Sequence, residues 1–193
     1  MRKAEISRKT RETEVRVRIN LDRAGVCDAR SGIPFMDHML SSMAVHGHLN
    51  LQIEASGDLI SDRHHLVEDV GIVLGLALKQ ALGDAEGIAR FGHAIVPMDE
   101  SCALVALDLG GRGFLVFKGA PAGPSIDGIP REMIEHFFYS LCINAGITAH
   151  IRSRGVNDHH RCEAIFKAFG IALSLAVSKS RVRGIPSTKG SIG

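Results

Sequence analysis

Tryptophan is absent from this chain, tyrosine occurs once, and aromatic residues make up only 5% of it. That excludes a stacked-aromatic surface for single-stranded nucleic acid. An excess of charge is also missing: 23 Lys and Arg face 21 Asp and Glu, so nothing points to nucleic acid or a membrane surface. The four cysteines, Cys27, Cys102, Cys142 and Cys162, make no C-x-x-C pair. They read as ordinary buried thiols in a reducing compartment. No apolar run reaches membrane-spanning length, and Met1–Glu5 carries no apolar signal core. The expectation is a cytoplasmic globular protein. A soluble chain of 193 residues buries roughly 70% of its unfolded surface, so it needs no staples.

What the chain does have is a motif that occurs twice. His64-His65-Leu66-Val67-Glu68 and His159-His160-Arg161-Cys162-Glu163 both read H-H-x-x-E, and each opens a long apolar-periodic stretch. On a helix, both His-to-Glu spacings put the side chains on one face. Two imidazoles and a carboxylate on one face are a metal-ligand arrangement.

The repetition extends beyond the motif. Val15, Val17, Ile19 and Leu21 alternate with polar residues as a strand; a helix-like segment follows from about Met36 to His46. Leu49, Leu51 and Ile53 predict a second strand, and His64 to about Leu82 a helix closed by Gly83. The order then recurs. Strands are expected at Ala103–Leu109 and Phe114–Phe117, a helix at Pro130–Ala145, a strand at Ile147–Ile151 and a helix at His159–Val177. His136 lines up with His38. The pattern predicts an α+β fold of two duplicated ββαβα half-units, each a sheet covered by two helices. The halves would run over about 1–92 and 93–180, with a tail over about 181–193.

The duplication groups the donors into two matched sets. One is His38, His64, His65 and Glu68; the other is His136, His159, His160 and Glu163. Such nitrogen-rich sets suit Mn, Fe, Co, Ni or Zn better than Ca or Mg. A single His-His pair at a helix start is more often a cap or a surface feature, but recurrence at matched positions reverses that weighting. His46, His48, His93 and His150 have no partner at ligand spacing and read as structural or exposed. A metal-dependent hydrolase and a metal-storing or metal-sensing protein remain alternatives at this point.

Several blocks carry a family resemblance. Ser31-Gly32-Ile33-Pro34-Phe35-Met36-Asp37-His38-Met39-Leu40 resembles the T-G-I-x-F-L-D-H-M-L signature of imidazoleglycerol-phosphate dehydratases. Gly57-Asp58-Leu59 with Asp62–Asp69, Arg8–Thr13 as R-x-T-x-E-T, Arg90-Phe91-Gly92 and Pro97–Glu100 match further blocks. So do Gly155–His160 with Glu163, and Ile185–Gly190. Where the family has Ser-Gly-Arg-Pro, this chain has Gly110-Gly111-Arg112-Gly113, with the Arg kept.

The resemblance implies dehydration of D-erythro-imidazole glycerol phosphate to imidazole acetol phosphate in histidine biosynthesis. A metal-bound imidazolate and a diazafulvene are the implied intermediates. It implies two divalent ions per active site, Mn(II) foremost, held by the eight donors above. Glu12 is implied as proton carrier, with Glu68 and Glu163 as further acid–base candidates. Arg90, Arg112, Ser187, Thr188 and Lys189 are implied as phosphate ligands, beside Glu12 at the substrate. Asp37 and Asp69 adjoin ligands and are expected to orient imidazoles. The implied assembly is a homo-oligomer of twenty-four subunits built from trimers, with active sites between subunits.

Overall fold

The computed structural model describes residues 1–22, 26–57, 63–180 and 184–187. Its element order runs twice through three strands, a helix, a strand and a helix. The first half holds β1 (Lys3–Lys9), β2 (Thr13–Asn20), β3 (Cys27–Arg30), α1 (Pro34–His46), β4 (Asn50–Gly57) and α2 (His64–Leu82). The second holds β5 (Phe91–Met98), β6 (Ser101–Asp108), β7 (Phe114–Lys118), α3 (Glu132–Ala145), β10 (Thr148–Arg154) and α4 (Asp158–Val177). A small hairpin of β8 (Ser125–Ile126) and β9 (Ile129–Pro130) is inserted before α3.

The two four-stranded sheets have matching orders, β1-β2-β4-β3 and β5-β6-β10-β7. In each, the fourth strand lies parallel to its neighbour, because a helix (α1 or α3) carries the chain back across the sheet. The duplicated α+β architecture matches the expectation, with two sheet strands more than expected in the first half and one more in the second. The additional strands β1, β3 and β5 are all edge strands, and edge strands lack clean alternation. β1 offers only Ala4 and Ile6 to the interior. β3 has just four residues. β5 inverts the usual pattern: small Gly92 and Ala94 face inward, while Phe91 and Ile95 are exposed.

All four helices lie between the sheets. α2 packs on β1 and β2, α4 on β5 and β6, α1 on β3 and α3 on β7. Each helix also packs across the halves, α1 against α4 and α2 against α3. Phe137, Phe138, Phe166 and Phe169 interlock at the centre, with ring centroids 4.8–5.4 Å apart. Truncating one of these fully buried rings costs about 3–5 kcal/mol. Two glycines set the crossing distances. A Cβ on Gly75 of α2 would meet the Leu141 carbonyl oxygen of α3 at 2.5 Å; one on Gly170 of α4 would meet that of Met43 of α1 at 2.1 Å. They stand at the same offset from Glu68 and Glu163, so both cross-half contacts are close.

The outer faces of the sheets differ. Sheet one presents charged and polar residues, including Glu5, Arg16, Arg18, Gln52 and Glu54. Sheet two presents Phe91, Ile95, Leu104 and Phe114, each more than a third exposed. No described helix is long and apolar enough to cross a membrane.

Candidate metal centres and acid–base site

The cross-half packing decides which donors meet. His38 on α1 lies with His159 and Glu163 at the start of α4; His136 on α3 lies with His64 and Glu68 at the start of α2. Within each group the ligand atoms are within 4.8 Å of one another. The sequence grouped the donors by half and left open which of them meet; in the structure they meet across the halves. The upstream histidine of each half joins the H-H-x-x-E helix of the other. The physical reason is the glycine-mediated approach of α1 to α4 and of α2 to α3, which periodicity within one half cannot register.

Each cluster is two imidazoles and a carboxylate. His38 Nε2 is 3.4 Å from Glu163 Oε2, and His159 Nε2 is 3.6 Å from the same oxygen. His136 Nε2 is 3.4 Å from Glu68 Oε2, and this buried nitrogen has no hydrogen-bond partner among the described residues. Leaving a buried polar nitrogen unpaired is costly, so the donor set fits a cation that would satisfy it. Two N donors and one O donor suit a divalent transition metal.

The orienting carboxylates are not Asp37 and Asp69. Asp37 accepts from the backbone N–H and hydroxyl of Ser31 at 2.8 and 2.6 Å; Asp69 accepts from Arg8 at 2.9 Å and from the Thr13 hydroxyl. Both close loops rather than steer rings. His159 is steered instead by Asp127, whose Oδ2 is 2.9 Å from Nδ1. Asp127 and Gly128 both have positive φ and form the two-residue turn of the β8–β9 hairpin. The Asp-Gly pair between Ser125-Ile126 and Ile129 was the available sequence signal. The Gly128 carbonyl also accepts from Arg63, beside His64. Asn157 caps α4, accepting from the N–H groups of His159 and His160.

His65 and His160 join neither three-residue cluster. Nδ1 of His65 is 2.9 Å from Glu12 Oε2 at the β1–β2 turn. Nδ1 of His160 is 3.0 Å from Glu100 Oε2 at the β5–β6 turn. The two hairpin acids are equivalent in the duplication but not in chemistry. Glu100 also accepts from the Ser101 hydroxyl and the N–H groups of Val156 and Asn157. His160, Asn157 and Ser101 together hold its carboxyl far below the usual range. His160 is raised, chiefly by its hydrogen bond to Glu100. Burial pushes Glu163 up, but Lys167, 2.7 Å from Oε1, and His38 outweigh it and leave the carboxyl low.

The phosphate candidates are partly gathered. Arg90, at φ 70, pairs with Asp108 through Nε at 2.7 Å and Nη2 at 3.1 Å, and donates through Nη1 to the Pro186 carbonyl at 2.7 Å. That brings Ser187, the next residue, toward Arg90. Arg112 is exposed in the adjoining glycine turn. Thr188 and Lys189 lie outside the described residues. His46, His48, His93 and His150 are exposed and belong to neither cluster. Burial raises the thiols of Cys142 and Cys162 to about 12, while Cys27 and Cys102 are half-buried.

The chain is similar to known proteins over its whole length. The sequence profile described as imidazoleglycerol-phosphate dehydratase matches residues 31–173. An imidazoleglycerol-phosphate dehydratase of Methanoculleus marisnigri is 56% identical, covering 100% of both chains; that of Methanosarcina mazei is 51% identical with the same coverage. The crystal structure of the Staphylococcus aureus enzyme superposes with a TM-score of 0.83 at 36% identity, over 92% of this chain and 99% of that one. The Pyrococcus furiosus structure gives 0.79 at 34% identity, over 96% and 99%.

Proposed function

Since the chain belongs to the imidazoleglycerol-phosphate dehydratase family and so is a hydro-lyase of histidine biosynthesis, we propose that it converts D-erythro-imidazole glycerol phosphate to imidazole acetol phosphate. The supporting observation is the pair of His-His-Glu clusters, each built from both halves of one domain. His38, His159 and Glu163 would hold one divalent ion, and His64, Glu68 and His136 a second, Mn(II) foremost. Bound there, the ions would supply Lewis acidity to the substrate's imidazole nitrogens.

The C–H to be deprotonated has no neighbouring carbonyl, so it becomes acidic only once the ring has pushed out the adjacent hydroxyl. Glu12 carries the proton. Its carboxylate is exposed, faces His65 and belongs to neither ligand cluster. Glu100 is unsuited to that work because the fold occupies its oxygens. Glu68 and Glu163 hold ions first and share proton work second. Arg90, Arg112, Ser187, Thr188 and Lys189 bind the phosphate, the last three from the C-terminal tail.

Three donors leave each cluster short of a full coordination shell, while His65 and His160 stand outside both. We assign these two histidines to the clusters of neighbouring copies, in a homo-oligomer of twenty-four subunits built from trimers. The apolar outer face of sheet two supports burial between copies.

The test is to load the protein with Mn(II), supply imidazole glycerol phosphate and follow the ketone. Turnover that vanishes on chelation and returns with metal is expected. A metal-loaded protein that forms no ketone overturns the proposal.

A further inference from the structure

The β1–β2 turn that carries Glu12 is tied to α2 by a chain of hydrogen bonds. Asp69, directly after Glu68, is 7% exposed. Its Oδ1 accepts from Arg8 Nε at 2.9 Å and its Oδ2 from the Thr13 hydroxyl. Thr13 thereby gives up its one hydroxyl proton, so across the 3.0 Å contact between the two hydroxyls Thr10 is the donor. Thr10 Oγ1 in turn accepts from the backbone N–H groups of Glu12, at 3.2 Å, and Thr13, at 3.0 Å. The Thr10 N–H closes the turn on the Thr13 carbonyl at 2.9 Å. Arg8, Thr10 and Thr13, the other polar members of the R-x-T-x-E-T block, are thus all spent on the backbone or on Asp69. Glu12 is left pointing outward toward His65, with a side chain 62% exposed.

The second half provides an internal comparison. There Ala164 takes the place of Asp69, and the hairpin acid Glu100 is itself the anchor, accepting from Ser101, Val156 and Asn157. In the first half the anchor and the acid are separate residues. That separation has an effect: α2 carries His64, His65 and Glu68 and also grips the Glu12 turn, so one rigid element sets the distance between the acid and the ligands. A buried chain of hydroxyls ending on a carboxylate is stiff because each bond polarises the next.

We propose that Asp69, acting through Thr13 and Thr10, is a positioning residue that aims Glu12 at the substrate. The role rests on the reading of Glu12 as proton carrier.

Thr13→Val is the variant of choice. It is nearly isosteric, removes the link and sits away from the ligands, whereas Asp69→Asn alters a buried carboxylate beside Glu68. Turnover, KM and metal content are measured for Thr13→Val, Thr13→Ser, Glu12→Gln and the Glu12→Gln/Thr13→Val double variant. Misplacing a reacting group by about 1 Å costs up to about 100-fold. Thr13→Val should therefore lose about 10- to 100-fold in kcat, with KM and metal content unchanged. Thr13→Ser, which keeps the hydroxyl, should recover. In the Glu12→Gln background Thr13→Val should cost nothing further, since there is no acid left to aim. Full turnover by Thr13→Val, or an equal loss in both backgrounds, overturns the positioning role while leaving Glu12 in place. Wild-type turnover by Glu12→Gln overturns the proton-carrier reading, and the single variant alone reveals it.

Discussion

Nδ1 of His159 lies 2.9 Å from Oδ2 of Asp127, a residue 32 positions earlier on a two-residue turn. The contact fixes which imidazole nitrogen is left for the cluster: Nε2 faces Glu163 and His38. A carboxylate behind a ligating imidazole holds both its tautomer and its direction.

Asp127→Ala should therefore weaken metal binding about 10- to 100-fold, with a small drop in melting temperature, because Asp127 is exposed but Ala is strained at its φ of 47. Competition against a chelator of known affinity measures it. Unchanged affinity would show that the neighbouring Phe35 ring, 5.3 Å from that of His159, is enough to orient the imidazole.

The cross-half pairing makes a prediction that pairing within halves does not. His38→Ala should weaken the cluster containing His159 and Glu163 and leave that of His64, Glu68 and His136 loaded; His136→Ala should do the reverse. Metal content should fall from about two per chain to about one in either variant, by elemental analysis of dialysed protein. Combining His38→Ala with His159→Ala should then cost no further metal, while His38→Ala with His136→Ala should empty both clusters.

Much of this was legible in the sequence. α2 is expected and found at the same bounds, because His64 to Leu82 carries an unbroken apolar face and Gly83 ends it. The recurrence of H-H-x-x-E marked the duplication and the donor types. The partnering of donors was hidden, since it depends on Gly75 and Gly170 letting helices of opposite halves touch. A glycine inside a helix gives no sign of what will approach it. Of the edge strands β7 was expected, while β1 escaped because it shows water its charged residues and β5 because it turns its apolar residues outward. Glu100 was legible only as part of a family block, and its bonds to His160 and to the backbone before α4 needed the fold.

Chelation should weaken assembly as well as activity. If His65 and His160 complete the clusters of neighbouring copies, metal binding is part of the association free energy. Light scattering on chelated protein should report smaller species, and restoring Mn(II) should regenerate the large one. An unchanged particle with its metal gone would place the main adhesion elsewhere, with the outer face of sheet two as the first candidate. Ile95→Lys, on the β5 edge of that face, separates the two contributions. It should reduce particle size even with metal present.

The two described arginines of the proposed phosphate site should respond differently to removal. Arg112 is exposed, and among the described residues its one hydrogen bond is through its backbone carbonyl, which accepts from the Thr148 hydroxyl at 3.0 Å. Arg112→Ala should raise KM several-fold with a smaller change in kcat and no loss of stability. The phosphate is remote from the bonds that change, so its binding is largely uniform between ground and transition states. Arg90 also holds the fold, clamping Asp108 at 2.7 and 3.1 Å and the Pro186 carbonyl at 2.7 Å. Arg90→Ala leaves the half-buried Asp108 without its partner and releases the segment leading to Ser187. It should raise KM more than Arg112→Ala and also lower the melting temperature, since losing one member of a partly buried charged pair costs about 1–3 kcal/mol. Asp108→Asn with Arg90 intact separates the two roles. If Arg90 serves only the phosphate, KM stays at the wild-type value. If the clamp sets its aim, KM rises with no phosphate ligand removed.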